Sequence, residues 1–224
     1  MVRHYYMLLA SLPALGWPPQ PRQTPLSRLR LEQRLDWLAA EDAQRLALLE
    51  GLLRWERLPL ERSDGQLLDQ ARQVLARLDD PGLEGIVIDR LEIRTAVAAL
   101  RRRHQGQPPP SQRDWGFGRW RDMIRRRWSE PHFGLSGVYP WLPEAYRLLE
   151  AGDTRALERL LLEVVWKALG RAGEGHDFDR VAVAVYLLRW DIWERWLRYD
   201  GQLALERFDE LVAAGLKEYG PLSS

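Results

Sequence analysis

Apolar residues recur at helical spacing through almost the whole chain, and prolines and glycines cut that pattern into short pieces. Leu29, Leu31, Leu35 and Leu38 recur near 3.6-residue spacing with charged residues between them, and Leu46, Leu49, Leu52 and Leu53 form a second apolar face that Pro59 closes. Ser63-Asp64-Gly65 signals a cap before a third piece through Leu67, Leu68, Ala71, Val74, Leu75 and Leu78. Asp79-Asp80-Pro81-Gly82 reads as a turn, and Ile86 to His104 as a longer helix. Trp115 to Trp128 reads as a basic helix after a glycine-containing start, and Phe133 to Gly137 as a loop. Further helices are expected at Leu142–Leu149, Thr154–Leu169, Phe178–Tyr199 and Leu203–Tyr219. Val181 to Tyr186 alternates as a strand would. It runs without a turn into Leu187 to Tyr199, too long for a strand, and is expected to be a helix buried on several sides. The prediction is an all-α chain, an irregular multi-helix bundle.

At 224 residues the chain has enough apolar material for a real core in one large domain or two small ones. Gly106 to Pro110 is the best internal break. It separates an N-terminal helical part, 1–104, from a C-terminal part, 119–224, through a connecting segment, 105–118; the two parts are expected to form one continuous domain. His4 to Leu12 is a short apolar segment ending at Pro13, and Gly16 to Pro25, with four prolines, is expected to be a surface connection. The absence of cysteine excludes disulfides, thiolate metal sites and cysteine nucleophiles. No run approaches the ~18 apolar residues of a bilayer span, and the first residues are only weakly signal-like, so a soluble cytoplasmic chain is the expectation.

Charge is unevenly placed. The formal net charge is +1, yet residues 101–127 hold nine arginines against Asp114 and Asp122, while 128–224 are net acidic. Arg101-Arg102-Arg103 and Arg125-Arg126-Arg127, with Trp115, Phe117, Trp120 and Trp128 interleaved, point to an anionic partner or to an internally paired face. Nucleic acid, bound by phosphate contact and stacking, is the weaker alternative, because three consecutive arginines fan around a helix and some serve as plain solvated surface. Trp17, in the proline-rich stretch, is a candidate exposed contact. Tyr186, Trp190, Trp193 and Leu197 share a stripe better suited to core packing than to a ligand.

Catalytic constellations are missing from the pattern. His4, His104, His132 and His176 show no ligand spacing, and His176-Asp177-Phe178-Asp179 reads as a helix start with Asp177 capping it. There is no phosphate cradle, and Gly134-Leu135-Ser136-Gly137 has the wrong spacing for a nucleophile elbow. No catalytic residue, cofactor or metal ligand is assigned.

Three segments carry a resemblance. His4-Tyr5-Tyr6-Met7-Leu8-Leu9-Ala10-Ser11-Leu12-Pro13 resembles the Tyr-Tyr-x-Leu-hydrophobic-Ala-Gly-Leu-Pro start of a bacterial family of uncharacterised proteins encoded with V-type (A/V-type) ATPase genes, with Ser11 in place of glycine. Phe133-Gly134-Leu135-Ser136-Gly137 is similar to that family's Asp-Phe-Gly-Leu-Ser-Gly loop, with His132 replacing the acidic residue. Phe178 to Asp200, through Trp190-Asp191-Ile192-Trp193-Glu194-Arg195-Trp196, is similar to its helix ending in Ile-x-Glu-Arg-Trp. The resemblance implies a counterpart, in fold and role, of the C/d-type adaptor of V-type rotary ATPases. That adaptor is all-helical and non-catalytic; it seats the central shaft on the membrane rotor ring and uses neither cofactor nor metal. Its implied partners are the other V-type ATPase subunits, and its implied place is peripheral to the inner face of the cell membrane through the complex. An arginine-rich helical nucleic-acid-binding protein is the alternative.

Overall fold

Two long antiparallel helices thread two hydrophobic cores, and the shorter elements close around them. The computed structural model describes residues 2–17, 26–54, 64–111 and 115–198. The helices are α1 (Val2–Ser11), α2 (Arg28–Leu35), α3 (Ala40–Leu53), α4 (Asp64–Leu78), α5 (Pro81–His104), α6 (Arg121–Arg126), α7 (Leu142–Glu150), α8 (Thr154–Ala172) and α9 (180–198). No strand occurs among the described residues. The chain is therefore all-α as far as it is described, and the alternating 181–186 stretch is helical. The expected Leu203–Tyr219 helix lies outside the described residues, as does most of Gly16–Pro25.

Local chemistry sets the ends of the elements. Ser27 caps α2 through the Arg30 amide, and Asp80 caps α5 through the amides of Gly82 and Leu83 at 2.9 and 3.0 Å, with Pro81 in the first turn. Asp79-Asp80 is thus the entry to α5, which starts five residues before Ile86. At the start of α9 the cap is Asp179, which accepts from the Ala182 amide at 2.9 Å and from His176 Nδ1; Asp177 is exposed. The sequence reading placed the cap two residues early because both aspartates satisfy the same rule.

The first core joins the two ends of the chain. Tyr5 and Leu8 of α1, the inner faces of α3 and α4, and Leu83–Ile93 of α5 pack on Leu162–Leu169 of α8 and on α9. The second core is local: Ala96–Leu100 of α5, Trp115, Ile124, Phe133, Leu135, α7 and Leu157–Leu161 of α8. Because α5 enters the first core and ends in the second while α8 does the reverse, the two run in opposite directions. The cores do not part at the 105–118 segment, since the first takes residues from both halves. The aromatic stripe of α9 is core, with Trp190 and Trp193 2% and 3% exposed.

Polar groups inside the first core are unequally satisfied. Tyr5 donates to buried Asp42, which Arg45 and Arg180 also approach at 3.4 and 3.6 Å; burial and this carboxylate push the phenol up to about 12. Arg28 grips Glu50 with both ends of its fork, at 2.5 and 3.0 Å, and so fastens α2 to α3. Beside this pair, Asp191 of α9 lies 3.9 Å from Arg28 and 3.7 Å from Arg54, with neither carboxylate oxygen hydrogen-bonded. Burial, followed by repulsion from Glu50, raises its pKa to about 7.

Candidate interaction surface

The helix ends that carry the two arginine triplets are tied together through Arg103. Arg101, Arg102 and Arg103 occupy the last turn of α5, and Arg125, Arg126 and Arg127 end α6. Arg103 Nη1 donates to the carbonyls of Trp128 at 3.4 Å and Glu130 at 2.6 Å, which fastens the end of α5 to the chain just past α6. Each helix presents its carboxyl end here, and cationic side chains offset the partial negative charge of those carbonyls.

The six arginines divide by role. Arg103 is half-buried, its guanidinium 5.3 Å from the Phe133 ring and 5.2 Å from that of Tyr146, so it belongs to the fold rather than to an interface. Arg102 is half-buried as well. Arg101, Arg125, Arg126 and Arg127 are exposed. Arg125 approaches Asp122 at 3.8 Å and Arg127 approaches Glu130 at 3.5 Å, exposed pairs of a kind worth at most ~1 kcal/mol. These four can exchange such contacts for a partner's anions at little cost.

Beneath them lies the Phe133–Gly137 loop. Pro131–Gly134 forms a tight turn in which His132, Phe133 and Gly134 take φ of 50°, 56° and 67°. A left-handed phenylalanine costs on the order of 1–3 kcal/mol and persists only where its surroundings over-determine it. Here Phe133 is fully buried, its ring 5.3 Å from that of Trp128. Gly134 is glycine for its positive φ; the nearest obstacle to a Cβ, Arg127 Nη1, is the tip of an exposed side chain that can move aside. Leu135 is buried, while Ser136 and Gly137 are exposed. Ser136 Oγ lies 3.3 Å from His132 Nδ1, and burial with the nearby Arg103 pushes that imidazole's pKa down.

The segment before α6 corrects the sequence reading. Trp115 to Trp120 is not helical; it is a loop whose backbone docks onto the buried face of α5. The Phe117 amide donates to Thr95 Oγ1 and the Arg119 amide to Glu92 Oε1, each at 2.8 Å. A Cβ on Gly116 would meet Thr95 at 2.5 Å, and one on Gly118, where φ is 92°, would run into Glu92. Glu92, 3% exposed, also takes Tyr139 Oη and Arg119 Nε at 3.3 Å. Burial, followed by the Glu92 carboxylate, raises the Tyr139 pKa and keeps the phenol a donor.

This hub of Glu92, Thr95 and Tyr139 escaped the sequence reading. Its signal was present in a carboxylate three, four and seven residues before Thr95, Ala96 and Ala99 on a buried face, followed by the paired Gly116 and Gly118.

The interleaved aromatics face inward or are covered. Trp115 is buried, Trp128 packs on Phe133, and the Arg119 guanidinium stands 5.3 Å over the Trp120 ring. They are spent on packing rather than offered to bases. Trp17 is not an exposed contact either: its ring stacks on Trp166 at 5.0 Å and meets Trp196 edge-on at 4.6 Å. Among the described residues there is no group of three or more metal-binding side chains, and no helix is long and apolar enough to cross a membrane. Comparison with family models, curated proteins and solved structures finds no match to this chain.

Proposed function

We propose that this chain is a non-catalytic structural subunit of a V-type rotary ATPase. In this reading it is a central-stalk adaptor of the C/d type, between the shaft and the membrane rotor ring, and it supports ion transport. It would sit at the inner face of the cell membrane through the complex. The observation that carries the reading is the resemblance of three segments, His4–Pro13, Phe133–Gly137 and 178–200, in the same order as in the bacterial family encoded with such ATPases.

The roles of those segments support it. Tyr5 anchors α1 on Asp42, Tyr186 Oη donates to the Pro13 carbonyl at 3.0 Å, and Trp190 Nε1 donates to the Leu26 carbonyl at 2.8 Å. Phe133 and Gly134 hold the left-handed turn. The resembling residues thus lock helices together, as suits a part that transmits torque, and the turn they build underlies an arginine face. That face suits the carboxylates of a shaft or of ring loops, because arginine pairs with carboxylate through two parallel hydrogen bonds.

Reconstitution with purified shaft and rotor-ring proteins tests this. Replacing Arg125, Arg126 and Arg127 by glutamate should weaken assembly by about tenfold or more, with helicity unchanged. Assembly of the triple variant at wild-type affinity refutes the arginine face as the contact. Binding of nucleic acid that falls log-linearly with salt would instead favour the alternative reading.

A further inference from the structure

We draw no further inference here: the strongest candidate, the apolar cavity of about 40 Å³ among α3, α5, α8 and α9 beside Asp191, carries nothing, because the carboxylate oxygens of Asp191 are buried away from it and nothing in the structure shows what occupies it.

Discussion

Glu92 in the second core and Asp191 in the first are both buried carboxylates on long helices, and they are treated in opposite ways. Glu92 accepts a backbone amide and contacts a phenol and a guanidinium, and the 115–120 loop is shaped around it. Asp191 has two arginines near 4 Å, no hydrogen bond, and Glu50 beside it. A buried charge stabilises a fold only when its oxygens are hydrogen-bonded as well as its charge opposed. By that criterion Glu92 holds its core together, while Asp191 strains its own. The difference teaches where a buried carboxylate can hold a fold: the second core, local in sequence, has its buried carboxylate fully engaged, although Arg102 Nε and Trp120 Nε1 nearby have no hydrogen-bond partner among the described residues.

Substitutions separate the two carboxylates. The largest effect is expected for Glu92→Ala, which orphans the Arg119 amide and the Tyr139 hydroxyl and leaves a void. Denaturant unfolding should show a loss of about 3–5 kcal/mol, and a loss below ~1 kcal/mol would remove the contrast. Gly118→Ala comes next. The positive φ and the collision with Glu92 should together cost about 2–4 kcal/mol, read as a lower Tm with native helicity below the transition.

Asp191→Asn should act with the opposite sign. The folded-state pKa of about 7 lies above the ordinary 3.8, so the folded chain binds the proton more tightly. Its contribution is fully present below pH ~4 and is lost as pH rises through ~7, a change on the order of 4 kcal/mol. The asparagine variant should lose that pH dependence and be about 1–2 kcal/mol more stable than wild type at pH 8. Destabilisation at pH 8 would show that Arg28 and Arg54 outweigh burial and Glu50.

Helices were legible wherever one face carries the apolar period: α3, α5, α8 and α9 stand within a few residues of expectation, and Trp190 and Trp193 are core as their spacing implied. The 115–120 loop was only partly legible: Gly116 and Gly118 marked a glycine-containing start within the 105–118 connecting segment, but the tryptophans and Arg119 read equally well as part of the amphipathic helix that follows. What forbids the helix is a tertiary contact, Gly116 and Gly118 against Thr95 and Glu92, to which periodicity is blind. The arginine face was half legible. The triplets were plain in sequence, but the tie between their helix ends depends on Arg103 reaching the carbonyls of Trp128 and Glu130, which turns that arginine from a candidate contact into a structural one. Trp17 was misjudged for a similar reason, since a proline-rich neighbourhood says nothing of the Trp166 and Trp196 rings that receive it.

The functional account is tested most directly by isolating the rotary ATPase of the native host through its ATP-hydrolysing head and measuring this chain in the assembly by quantitative mass spectrometry. The account predicts a fixed ratio of this chain to the shaft protein, retained through gel filtration. Its absence from an intact, ATP-hydrolysing assembly, or a host that contains no such ATPase, would contradict it.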